Sequence, residues 1–145
     1  MEKIYLDNCA FNRPYDDQTI LRIHLETQAK LQIQKETLTG KYSLVWSFIL
    51  EYENKANPFE FKSNAIQEWK EVAKENVIMN EEIIKIANKL KKEGLRTKDA
   101  LHIACAAYAN VDYFITTDKK LLNKDMDIVK IISPVEYISQ KGGDE

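Results

Sequence analysis

Four short apolar runs, each bounded by turn or cap residues and separated by helical periodicity, constrain this chain more than any other feature. They form the apolar centres of strand-like stretches at residues 2–6, 44–46, 112–116 and 128–132. Strands that are apolar throughout, rather than alternating, are buried on both faces. Such strands belong to parallel sheets covered by helices. The expected fold class is therefore α/β, a three-layer α/β/α arrangement with a short, mostly parallel central sheet. In open sheets of this kind ligands bind beyond the carboxyl ends of the strands.

The segments between the strands read as helices. Over residues 16–36, Ile20, Ile23, Thr27 and Leu31 recur at three- and four-residue spacing. Asp16 or Asp17 can cap the start and Gly40 can stop the chain after it. After Ser47 four helical segments follow with no strand between them. The first, 47–55, has Ser47 as cap and ends before Asn57-Pro58. The second, 60–75, sets Ile66, Trp69 and Val72 or Ala73 on one face; the third, 80–93, stops at Gly94. The fourth begins near Thr97 and is so rich in Ala, Leu and Ile that it must be largely buried. A last turn over 134–139 starts on Pro134, a favoured first helical residue. A length of 145 residues suits one domain, assigned to 1–140 with a frayed tail at 141–145.

Composition narrows the function classes. No apolar run approaches the roughly 18 residues of a membrane span, so no membrane association is expected. The N-terminus lacks the basic and apolar regions of a signal peptide. Cys9 and Cys105 are the only cysteines and have no metal-ligand spacing, which fits a cytoplasmic protein. The net charge of −2 does not advertise a nucleic-acid binder. A local basic face could still exist, hidden in the sum by acids gathered at a site.

Acids stand beside strongly apolar sequence in four stretches: YLDN with Asp7, SFILEYEN with Glu51 and Glu53, KDALHIACA with Asp99, and FITTDKKL with Asp118. Each has an ordinary explanation taken alone. Asp7 could be an exposed strand end, Asp99 a first-turn acid favoured by the helix dipole, and Asp118 a turn cap. Glu51 and Glu53 lie two apart on a helix, about 200° around its axis, so at most one can face a common site. Together they suggest more, because clustered carboxylates repel one another unless a cation neutralises them. Mg²⁺ and Mn²⁺ take a few carboxylates plus waters, and such a site can activate a water against a phosphodiester. His102, three residues after Asp99 on the same helix side, could assist the site or be a satisfied buried histidine. No convincing Ser-His-Asp or Cys-His arrangement competes with this chemistry.

The motifs YLDN, a glutamate after a serine-led segment, KDALHIACA and ITTDKKLL occur in order over residues 3–138. In that order they resemble the acidic motifs of PIN-domain nucleases. The resemblance implies an α/β/α fold, a carboxylate site for Mg²⁺ or Mn²⁺, and cleavage of single-stranded RNA. Many small members are toxins of toxin–antitoxin pairs and form dimers, which implies an antitoxin protein and a homodimer as partners. Matched residue by residue, Asp7, Asp99 and Asp118 are the metal-binding aspartates, and Thr116 is the threonine of the T-x-D motif. Thr116 would orient a carboxylate or the attacking water. The catalytic glutamate is Glu53, six residues after Ser47, with Glu51 as the other candidate. Asn8 is a supporting residue. The first motif departs from the family at Cys9, where a side-chain oxygen or amide is usual; Asn8 or Asn12 could compensate. Arg13, Lys98, Lys119 and Lys120 are candidates for RNA phosphate contacts, or plain surface charges.

The expected function is thus a metal-dependent endoribonuclease, in which a water attacks a single-stranded RNA phosphodiester at the carboxylate site. A catalytically weak PIN-like module that binds RNA or protein is the alternative. A receiver-type phospho-acceptor domain is disfavoured, because it needs regularly alternating strands and helices through the block after Ser47.

Overall fold

The computed structural model describes residues 1–142. Its framework is a five-stranded sheet of β1 (Glu2–Leu6), β2 (Tyr42–Ser47), β3 (Glu75–Val77), β4 (Tyr113–Ile115) and β5 (Ile131–Ile132), in the order β3-β2-β1-β4-β5. Every pairing is parallel. The apolar runs explain this placement. Ile4, Tyr5 and Leu6 are consecutive and all buried, as are Leu44, Val45 and Trp46. Successive strand residues point to opposite faces, so both faces of the central strands are covered.

The helices are α1 (Asn8–Asn12), α2 (Leu21–Leu38), α3 (Phe48–Lys55), α4 (Glu60–Val72), α5 (Glu81–Lys92), α6 (Thr97–Tyr108), α7 (Lys119–Leu122) and α8 (Pro134–Gly142). α2 packs with α8, whereas α6 packs with α5 and α3. The small buried residues Ala100, Ala104, Cys105 and Ala106 let α6 sit close against its neighbours. Gly40 and Gly94 end α2 and α5 at φ of +87° and +105°, a conformation glycine adopts without steric cost.

Several boundaries differ from the sequence expectations. The helix expected over 16–36 starts later, at Leu21, because Arg13–Tyr15 form a 3₁₀ turn and Asp17 is used in a turn closed by Thr19. The residues after Asp7, where the sequence patterning predicts no element, form the five-residue helix α1, started by Asp7 itself. The helix expected to reach residue 75 stops at Val72. Lys74 N–H then donates to Leu44 O at 3.0 Å and opens β3 alongside β2. A strand therefore does interrupt the block after Ser47, contrary to expectation. The receiver alternative fails on strand order instead: flavodoxin-like receiver sheets run 2-1-3-4-5. The last two strands are shorter than the runs that predicted them. Of the expected tail, Lys141 and Gly142 belong to α8, and residues 143–145 lie outside the described residues.

Candidate active site

The strand order reverses direction between β1 and β4, the switch point where ligands bind in open α/β sheets. Asp7 leaves β1 there, buried to 6% exposure, and its N–H donates to Ile115 O of β4 at 2.9 Å. Its carboxylate is tied on both oxygens. Oδ1 accepts from Asn8 N–H at 2.8 Å, which starts α1; Oδ2 accepts from the Thr116 hydroxyl at 2.8 Å. Thr116 Oγ1 also accepts from Asp118 N–H at 3.1 Å, so one buried hydroxyl links the motifs that follow β1 and β4.

Cys9 contributes directly. Its thiol donates to Asp7 Oδ2 at 3.3 Å and lies 3.2 Å from Thr116 Oγ1. Burial and the charge of Asp7 push the Cys9 thiol up to about 12, so at neutral pH it remains a protonated donor. At this departure from the family pattern the Cys9 thiol itself bonds the Asp7 carboxylate. Asn12 instead donates to Asn8, at O and Oδ1.

Asp7, Glu53, Asp99 and Asp118 line one cleft of about 390 Å³, together with Asn8, Cys9 and His102. Asp99 is the third residue of α6, half-buried, where the helix dipole also favours an acid. Burial, then the charges of Asp7 and Asp118, raise its carboxyl above the ordinary value. Asp118 does cap α7, accepting from Lys120 N–H at 2.9 Å through Oδ1, while it lines the cleft.

The two glutamates of α3 separate as the helix geometry requires. Glu53 faces the cleft and is bonded to His102 Nε2. Glu51 faces α4, accepting from Gln67 at 2.7 Å, Lys70 at 3.0 Å and Trp46 at 3.3 Å. These bonds hold its carboxyl below the ordinary value, that from Gln67 foremost.

His102 was the residue least determined by sequence, its only signal being the three-residue offset from Asp99. It is buried, bonded through Nδ1 to Tyr5 Oη at 2.6 Å, and Tyr5 Oη meets Ser47 Oγ at 2.6 Å. Nε2 also lies 3.7 Å from Asp7 Oδ1. Burial opposes its protonation, but the charge of Asp7 and the bond and charge of Glu53 outweigh this and raise it. A Ser47–Tyr5–His102 chain, buried, thus runs from the sheet to half-buried Glu53 in the cleft. His24, by contrast, is exposed on α2.

The cations near the motifs are dispersed. Arg13 lines the cleft, but its side chain pairs with Asp16 at 3.1 Å and approaches Glu26 at 3.3 Å. Lys98 borders an adjoining hollow, Lys119 lines a separate groove beside α2, and Lys120 is exposed.

The donors fit a hard divalent cation: carboxylate oxygens predominate, and the one thiol stays protonated. The mutual charge that raises Asp99 is what such a cation would relieve. Among the described residues, no three His, Cys, Asp or Glu side chains are yet drawn to coordination spacing, with Glu53 held by His102. No described helix is long and apolar enough to cross a membrane.

Three solved structures share this fold. VapBC2 from Rickettsia felis, bound to a DNA fragment from the promoter, gives a TM-score of 0.57 at 10% identity, covering 90% of this chain and 98% of that one. VapBC-1 from nontypeable Haemophilus influenzae gives 0.59 at 22%, covering 91% and 98%. PAE2754 from Pyrobaculum aerophilum gives 0.56 at 15%, covering 99% and 97%. No curated protein matches the chain in sequence. The PIN domain family model matches residues 4–126, most of the chain and all four acidic motifs. The protein therefore belongs to the PIN domain family, a family of nucleases that typically use divalent metal ions.

Proposed function

We propose that residues 1–140 form a single-domain, Mg²⁺- or Mn²⁺-dependent endoribonuclease that cleaves single-stranded RNA phosphodiesters in this cleft. The observation that carries this is the convergence of Asp7, Glu53, Asp99 and Asp118 at the β1/β4 switch point. Asp7, Asp99 and Asp118 would hold the cation. When bound, the cation would polarise the phosphodiester and ease deprotonation of an attacking water.

The chain's own residues do the rest. Thr116 and Cys9 fix the Asp7 carboxylate through Oδ2, and the Asn8 N–H fixes it through Oδ1. A carboxylate held this way is oriented before substrate arrives. The Glu53–His102 pair is the group in the cleft able to take up the proton of the attacking water, with Tyr5 holding the imidazole from behind. Cys9 bonded to Asp7 supports an active enzyme over a silent binding module.

We further propose a role as the toxin of a toxin–antitoxin pair, with an antitoxin protein and a second copy of the chain as partners, acting in the cytoplasm. The VapBC complexes among the structural neighbours support the antitoxin. The exposed Leu21, Leu25 and Leu38 of α2 offer apolar surface for protein contacts.

Incubation of labelled single-stranded RNA with the protein tests the activity. Internal cleavage is expected with Mn²⁺ and none with excess chelator. Cleavage that persists in chelator, or absence of cleavage with every divalent ion, contradicts it.

A further inference from the structure

A second hollow of about 390 Å³ adjoins the acidic cleft and shares Asn8, Asn12 and Glu53 with it. Its character is different. Phe59, Lys62 and Lys98 are among the residues that line it. Phe59 is 59% exposed, on the turn made by Asn57-Pro58, whose Asn57 Oδ1 accepts from Phe59 N–H at 3.0 Å. Lys62 Nζ stands 4.4 Å from the Phe59 ring centroid, and Lys98 Nζ 5.9 Å from that of Tyr52, which is 62% exposed.

Exposed aromatic rings with ammonium groups poised over them, beside a nuclease cleft, match what single-stranded nucleic acid requires. A base offers a flat apolar face for stacking, and its neighbouring phosphate seeks a cation. The acidic cleft repels phosphate, whereas Lys62 and Lys98 place positive charge in the lining of the adjoining hollow. Asn8 and Asn12 line both spaces and carry amide groups able to meet a base edge.

We propose that this hollow is a nucleobase subsite. The base of a nucleotide flanking the cleaved bond stacks on Phe59, and Lys62 and Lys98 bind the phosphates beside it. The subsite rests on single-stranded RNA as the substrate, and it adds where the strand enters.

Binding of a labelled, mixed-sequence single-stranded RNA to the Asp7→Asn variant tests it without turnover. Adding Phe59→Ala should weaken binding about 5- to 160-fold, the loss of one base–aromatic stack, while Phe59→Trp retains affinity. Adding Lys62→Gln should reduce the slope of log K against log salt by about 0.7. Phe59 is exposed, so its truncation should leave the melting temperature unchanged; Lys62 is half-buried, with its Nζ also 5.2 Å from the Tyr15 ring centroid, so Lys62→Gln is read by the salt slope, with the melting temperature followed to show that the variant stays folded. Equal affinity of the Asp7→Asn and Asp7→Asn/Phe59→Ala proteins overturns the subsite and leaves that surface to a protein partner. Failure of Asp7→Asn to bind single-stranded RNA overturns it too. Loss of binding with Phe59→Ala, alongside a wild-type protein that cleaves no RNA, sinks the nuclease activity and leaves the subsite standing.

Discussion

The Thr116 hydroxyl donates to Asp7 Oδ2 across 2.8 Å, joining residues 109 positions apart at the ends of adjacent parallel strands. Thr116→Val keeps the shape and removes this donor, together with the acceptor for Asp118 N–H. A buried bond to a carboxylate is worth about 1.5–3 kcal/mol. Urea denaturation should show a loss of that order for Thr116→Val and little for Thr116→Ser. A Val variant as stable as the wild type would show that water satisfies Asp7 instead.

Cys9 acts on the same oxygen as a neutral donor. Cys9→Ser should therefore preserve both stability and RNA cleavage, because a hydroxyl can make the same bond. Cys9→Ala should cost about 0.5–1.5 kcal/mol and lower the cleavage rate. Equal rates for Ala and Ser would mean that the thiol only fills space.

Glu51 and Glu53 should separate by readout. Glu53→Gln is expected to reduce cleavage by at least about 100-fold, the usual scale for a positioned acid–base group. Glu51→Gln should leave cleavage intact while lowering stability by about 1 kcal/mol, since Glu51 ties α3 to α4 through Gln67 and Lys70. The reverse pattern would assign the cleft to the wrong glutamate.

Lys30 offers a pH test remote from the cleft. It is 5% exposed on α2, with its Nζ 5.7 Å from the Phe11 ring centroid, and burial lowers it from 10.5 to about 8. Between those values the unfolded chain binds more protons than the folded one, so stability rises with pH across that window. Below pH 8 the cost of burying the charge is fully present. Lys30→Met should stabilise the protein by up to about 3 kcal/mol at pH 7, with the difference from wild type shrinking toward pH 10. Thermal denaturation at both pH values measures it, and a variant no more stable at pH 7 would contradict the buried charge.

How far these features could be read beforehand depended on which forces set them. The consecutive apolar residues Ile4–Leu6 of β1 and Leu44–Trp46 of β2 announce a sheet covered on both faces. The spacing in α5 and its stop at Gly94 are local signals too, and both were legible. β3 was not: Glu75 and Asn76 are poor strand formers, and only Val77 is buried, so pairing with β2 makes the strand. α1 was hidden because its start depends on Asp7 turning its side chain back onto Asn8 N–H. The four carboxylates could be nominated from their order along the chain. What could not be read was their partnering: the Cys9 thiol on Asp7, and the buried Tyr5–His102 link behind Glu53. The first depends on α1 forming to bring the thiol back onto its neighbour's carboxylate, and the second joins residues 97 positions apart and exists only once the sheet and α6 have packed.

The central claim is that Asp7 anchors a divalent-cation site that hydrolyses RNA. It is tested most directly by comparing wild type and Asp7→Asn on single-stranded RNA across a Mn²⁺ titration, with melting temperature followed in parallel. Wild type should cleave and gain melting temperature as Mn²⁺ rises. Asp7→Asn should stay folded, cleave nothing and show no Mn²⁺-dependent gain. Cleavage by a folded Asp7→Asn protein at the wild-type rate would contradict the account.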